Sequence, residues 1–332
     1  MRRRDFIKAI AGGTLAWPLV ARAQHSGPVR RIGILMNGAA TETEKQSHIA
    51  GFVQALRQFG WIEGQNLRVD VRWNAGDAAL SRIYAAQLIG LAPDVILASS
   101  TTNLTAVQQA TNIVPIVFVQ VSDPVTQGFV ANVTKPGGNI TGFSMYEFSV
   151  GGKWVDLLKE IAPGLARVAV MFNPDTSPQS KFFMRSIEAA APSLGVHTIT
   201  LPVRASADIE PAIETFAGDP NGGLILPTDT FTRLRQTLIV ELAMRHRLPA
   251  ISPYSDFAKD GGLIRYSAEV NLPDQFLQAA SYVDRILRGT KAGDLPVQRA
   301  DKYTLGINLN TATALGLTVP LPLLGLADEV IE

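Results

Sequence analysis

"DVILASSTTN", residues 94–103, is a short apolar run, Val95 to Ala98, that ends in five small polar residues, Ser99 to Asn103. A continuous apolar run of this length reads as a strand buried on both faces, the kind parallel sheets are built from. The polar tip marks where the strand leaves the core. "GLILPTDT", 223–230, repeats the phrase and ends in Thr228, Asp229 and Thr230. Two more echoes accompany it. "RRIGILMN" (30–37) returns as "ARVAVMFN" (166–173), and "PIVFVQVSD" (115–123) returns as "PAISPYSD" (249–256). All three pairs are separated by about 130 residues, so the chain reads as two copies of one α/β lobe.

The segments between these strands fit the same reading. Thr43 to Phe59 carries Ile49, Phe52, Val53, Leu56 and Phe59 at helical spacing and stops at Gly60. Leu67 to Trp73 alternates as a strand, Asp77 caps a helix running to Leu91, and another helix spans about Asn103 to Ala110. Strands and amphipathic helices in alternation predict a parallel sheet wrapped by helices. In such a sheet the ligand crevice lies beyond the carboxyl ends of the strands. Asn37, Ser99, Ser100, Thr101, Ser122 and Asp123 crown one lobe there; Asn173, Thr228, Asp229, Ser255 and Asp256 crown the other. Each has two uses open to it. Ser, Thr, Asp and Asn cap helices, and exposed amides at helix starts hold a ligand carboxylate.

The N-terminus reads separately. "MRRRDFIKAIAGGTLAWPLVARAQ" has a basic start with Arg3-Arg4, a mildly apolar stretch from Ala9 to Val20, and Ala21-Arg22-Ala23 as a cleavage site. Residues 1–23 are therefore expected to be a cleaved twin-arginine-type signal peptide, and the product to be periplasmic. Removing them changes the net charge from +1 to −3, so no nucleic-acid partner is expected. The chain has no cysteine, which excludes disulfides, thiol catalysis, thiolate metal sites and a lipid anchor on cysteine. Its 332 residues, 46% apolar and 18% charged, suit two packed cores, and no apolar run approaches the ~20 residues of a membrane-spanning helix.

The motifs of α/β enzymes are missing. There is no G-x-S-x-G, no G-x-G-x-x-G after the first strand, where "GILMNGAA" stands, and no Walker loop, because Gly152-Lys153 precedes Trp154. None of His25, His48, His197 and His246 falls at a predicted strand tip. Binding is favoured over catalysis, with no cofactor and no metal.

From Arg31 to about Ile331 the chain resembles the solute-binding proteins of ABC importers, in the family that includes tryptophan- and tyrosine-type binding proteins of the periplasmic-binding type I fold. The resemblance rests on "GFVQALRQFGWIEGQNLRVDVRWNAGD" (51–77), "PIVFVQVSDPVTQGFVANVTKPGGNITGFS" (115–144), "VMFNPD" (170–175), "ILPTD" (225–229) and "LNTATALGLTVP" (309–320). It implies two Rossmann-like lobes joined by a multi-strand hinge, lobe 1 at 30–142 plus 268–290 and lobe 2 at 143–267 plus 300–332. Hinge strands fall at 139–143, 263–266 and 303–307, although "PGGN" and "DGG" before the first two also read as tight turns. The implied protein is a monomer that closes on an amino acid or related organic acid and presents it to an ABC permease in the inner membrane.

The resemblance also implies roles. Ser99, Ser100 and Thr101 with nearby amides hold a carboxylate, and Asp229 or Asp256 pairs with an ammonium. Ser144 and Met145 reach the cleft mouth, and Met145, Tyr146 and Tyr254 line an apolar pocket or simply pack. Strand-tip residues in an open cleft are expected to matter little for stability. Where the family more usually has Thr-Asp-Pro, Ser122-Asp123-Pro124 stands here. Two alternatives to transport remain at this stage, a ligand sensor that feeds a sensor kinase and an α/β enzyme.

Overall fold

The computed structural model describes residues 28–269, 271–300 and 302–332; the expected signal peptide at 1–23 lies outside them. The first half runs β1 (Arg30–Met36), α1 (Thr43–Gln58), β2 (Leu67–Trp73), α2 (Ala78–Gly90), β3 (Val95–Ser99), α3 (Thr101–Ala110), β4 (Ile116–Val121) and β5 (Ile140–Ser144). The second runs α4 (Val150–Ile161), β6 (Arg167–Phe172), α5 (Ser180–Ala190), β7 (His197–Pro202), α6 (Ser206–Ala217), β8 (Gly222–Ile225), α7 (Thr230–Arg233), α8 (Gln236–Arg245), β9 (Ala250–Ser252) and β10 (Ile264–Ala268). The chain then forms α9 (Leu272–Leu287), β11 (Tyr303–Asn308), α10 (Leu309–Ala314), α11 (Leu321–Leu326) and β12 (Glu329–Ile331).

Two sheets result, ordered β2-β1-β3-β4-β5 and β12-β11-β10-β9-β8-β6-β7. Every pairing is parallel except β10 with β11. Read from β7, the second sheet repeats the first strand for strand, so the sequence echoes β1/β6, β3/β8 and β4/β9 occupy equivalent places. The fold is α/β with two sheets of mostly parallel strands, each wrapped by helices. Both faces of each sheet are packed: Ile32, Ile34, Leu97 and Val117 meet α1 and α9 on one side of the first, and Leu35, Ile96 and Phe118 pack with Leu88 and Leu104 on the other.

The chain passes between the sheets three times: after β5, after β10 and before β11. The lobe boundaries shift slightly from the expected 142 and 290. Val121 pairs with Ser144, which keeps β5 in the first sheet to its end. Thr141 Oγ1 donates to the Leu295 carbonyl at 2.6 Å and Gln298 N to Gly142 O at 3.0 Å, which hold 295–298 on the first lobe as well. Helix α3 begins at Thr101 rather than Asn103, because Ser100 rather than a later residue serves as its cap. Among the described residues no helix is long and apolar enough to cross a membrane.

Candidate ligand-binding cleft

A cleft of about 590 Å³ lies between the two sets of strand tips. Of the residues singled out from sequence, Asn37, Ser100, Thr101, Ser122, Met145, Thr228, Asp229, Tyr254 and Asp256 line it, together with Tyr146 and Ser255.

The first-lobe wall is built around the β3–α3 junction. Ser100 sits at φ +85°, a region that non-glycine residues avoid, and so turns sharply from strand into helix. Its Oγ accepts from Asn103 N at 3.4 Å. The buried Asn103 pins this turn, donating to Ser99 O at 2.8 Å and Leu35 O at 3.2 Å. The first amides of α3 have no intrahelical partner, as in any helix, and Thr101 and Thr102, which carry two of them, line the cleft. Ser99 itself is behind the wall. It is fully buried, and its hydroxyl lies 2.7 Å from Gln120 Oε1 and 3.2 Å from Asn37 Oδ1. Its work is to orient those two residues, both of which do line the cleft.

The second-lobe wall differs. Asp229 is 2% exposed. Its carboxylate accepts from Asn173 N at 2.8 Å, Phe231 N at 3.0 Å, Thr232 N at 3.4 Å and the Thr176 hydroxyl. Burial raises its pKa, and those four hydrogen bonds pull the other way. Asp229 is thus the cap of α7 and the tie between the β6 and β8 tips, with its oxygens taken up by protein donors. Asp256 is committed as well, to the Arg233 guanidinium, while Gln236 Nε2 bonds Asp260 at 2.7 Å. Tyr254 supports the same tip from below: its hydroxyl receives Asp229 N at 2.8 Å and donates to Asp229 O at 3.0 Å. Burial pushes the Tyr254 and Tyr146 phenols up, so both stay neutral.

Three further expectations shift. Asp123 turns away and closes its own loop, accepting from Thr126 N at 3.0 Å and Thr126 Oγ1 at 2.8 Å. Ser144 is buried in β5, its amide donating to Gln298 O at 2.8 Å. Asn173 lies behind Asp229, its Oδ1 accepting from Asp175 N at 2.9 Å, and lines a separate groove.

Residues that the sequence did not single out complete the cleft. Gln120 leaves the regular strand at φ +58°. His48, on α1, stacks on Phe276 with ring centroids 5.0 Å apart. Gln179, Gln236 and Arg265 come from α5's start, α8 and β10. Thr102 Oγ1 donates across the cleft to Thr176 O at 2.8 Å, joining the lobes. A signal for Gln179 existed: "NPDTSPQS", 173–180, follows its strand as "SSTTN" follows β3. No group of three or more His, Asp or Glu fit to hold a metal occurs among the described residues.

Comparison with known proteins agrees with this architecture. The family described as "ABC transporter substrate binding protein" matches residues 41–331. The tyrosine-binding protein of Clostridioides difficile is 27% identical over 267 residues, 80% of this chain and 76% of that protein. A conserved domain protein from Vibrio cholerae is 26% identical, with a TM-score of 0.78 over 91% of this chain and 99% of the other. An ABC domain from Streptococcus pneumoniae solved with L-Trp shares the fold, at 21% identity and a TM-score of 0.75 over 91% and 99% of the two chains.

Proposed function

The chain belongs to the ABC transporter substrate binding protein family, one of solute-binding proteins and not of enzymes, and from that premise we propose that it captures an amino acid or related organic acid for import. The observation that carries this reading is a cleft walled by two strand-tip sets, one on each lobe. The α3 amides at Thr101 and Thr102 with the Ser100 hydroxyl suit a carboxylate, because unpaired amides and the helix dipole both favour an anion there. Met145, Tyr146, Pro253 and Tyr254 offer the apolar surface that a side chain would cover. The tyrosine-binding relative and the L-Trp complex support the amino-acid class.

The partner under this reading is an ABC permease in the inner membrane, and the protein works as a periplasmic monomer after loss of residues 1–23. An N-terminus at Gln24 in protein recovered from the periplasm is the expected result. The functional test is a thermal-shift panel of L-amino acids and related organic acids. A ligand at a hundred times its Kd adds about 2.7 kcal/mol of stability, so a true solute stands out. A panel with no shift for any amino acid or organic acid contradicts the proposal.

A further inference from the structure

Among the described residues, eight buried side-chain nitrogen or oxygen atoms lack a hydrogen-bond partner. Five of them belong to residues that line this one cleft: His48 Nδ1, Gln179 Oε1, Thr228 Oγ1, Gln236 Oε1 and Arg265 Nε. Buried polar groups are normally paired, so their concentration at one place is a print of what belongs there. Four of the five are on the second lobe: Arg265 Nε, a donor on β10, and three atoms from the strand tips and helices that share a chemistry. All three are oxygens.

Two of these oxygens have their orientation fixed by their neighbours. Gln179 Nε2 donates to Thr228 O at 2.7 Å. Reversing that carboxamide would set carbonyl oxygen against carbonyl oxygen, so Oε1 is the end left over. Gln236 Nε2 donates to Asp260 Oδ2 at 2.7 Å and approaches Asp256 Oδ1 at 3.5 Å. There a reversal would set oxygen against two carboxylates. The glutamines are 6% and 5% exposed, and neither can turn to become a donor. The surrounding charge agrees: Asp229, Asp256 and Asp260 outnumber the two guanidiniums, Arg233 and Arg265, that this lobe brings to the cleft.

We infer that Gln179 and Gln236, with the Thr228 hydroxyl beside the first, are the specificity-determining residues that accept the hydrogens of the solute's ammonium group. The inference rests on the amino-acid reading above and adds how the amino end is recognised: by neutral oxygens locked as acceptors, with the neighbouring aspartates, already bonded to protein donors, supplying field. A donor-poor acid of the same shape would leave these oxygens unpaired in a closed cleft, which is the costly outcome for a buried polar group.

The test uses the full chain after signal removal and three pairs of probes: L-tyrosine with 3-(4-hydroxyphenyl)propionate, L-tryptophan with indole-3-propionate, and L-leucine with 4-methylpentanoate. Calorimetric titration of the wild type is expected to show the amino acid of a binding pair held at least ~10-fold more tightly than its des-amino partner. Gln179→Met and Gln236→Met each weaken the amino acid by roughly 10- to 100-fold while changing the des-amino acid little, so discrimination collapses. Equal loss of both partners, or wild-type binding by both variants, overturns the inference. The wild-type comparison decides by itself if a variant does not fold: a des-amino acid bound as well as its amino acid overturns the inference and leaves the amino-acid reading standing. If none of the three amino acids binds the wild type, the reading fails for these solutes and the inference with it.

Discussion

The tips of β3 and β8 carry the same phrase and do opposite work. In both, an apolar strand ends in a hydroxyl-rich turn whose polar residue caps the next helix, Ser100 for α3 and Asp229 for α7. At β3 the cap is stretched: its one capping bond is 3.4 Å long and its backbone sits at φ +85°. The pinning has moved to residues that flank it, Ser99 and Asn103. At β8 the cap residue is itself the pin, with four donors on one buried carboxylate. A cap that spends all its oxygens on the protein has none for a ligand. A cap whose strain is held by others stays free to bind one, and strained backbone of this kind is a common mark of binding sites.

The contrast breaks most visibly at Asp229. Asp229→Ala orphans four donors on two segments and is expected to cost at least about 2 kcal/mol of stability, measured by urea denaturation. A variant as stable as wild type would make the second tip as free as the first. Removing the Ser100 side chain should do the reverse. Ser100→Gly relieves the positive φ and loses only a long cap, so the protein melts no lower than wild type. Solute binding weakens by roughly 2- to 10-fold, the worth of one neutral hydrogen bond. Unchanged affinity by calorimetry would reduce Ser100 to a cap.

A smaller effect concerns His48 on the first wall. Burial holds its pKa below the ordinary value, with Lys45 acting the same way and Glu44, 4.0 Å from Nε2, opposing. A depressed histidine binds fewer protons folded than unfolded, so the stability it contributes is present above about pH 6.5 and is lost as pH falls through the folded pKa. His48→Phe keeps a ring against Phe276 and removes the titration. The melting temperature of the variant should therefore fall less than that of wild type between pH 7 and pH 5. Parallel curves would show that His48 is not held neutral by burial.

Much of this was legible in the residues. Apolar runs with polar ends fixed the strands, and the spacing of the echoes matches the equivalence of β1/β6, β3/β8 and β4/β9, because a parallel strand buried on both faces writes itself as an uninterrupted run. The site was legible only as a set of tips. Ser99, Asp123, Ser144 and Asn173 have the right chemistry at the right ends but turn toward their own loops or core, and a one-residue step in an extended chain is enough to reverse a side chain. Gln236 lies within a helix, where nothing local distinguishes a cleft-facing glutamine from a solvated one. The surroundings of Asp229 are hidden in the sequence for a further reason: two of its four donors come from the turn after β6, more than fifty residues away, and only the folded sheet brings that turn to α7.

The central claim is that one small solute is held between two lobes that close on it, so that its contacts exist in full only in the closed state. Small-angle X-ray scattering measures this directly, with and without the amino acid that gives the largest shift in the thermal panel. The radius of gyration and the largest interatomic distance are both expected to fall at saturation, and Ser100→Gly is expected to need more solute to reach the same end point. Scattering that stays unchanged at saturating solute, while calorimetry shows the solute bound, would contradict the account.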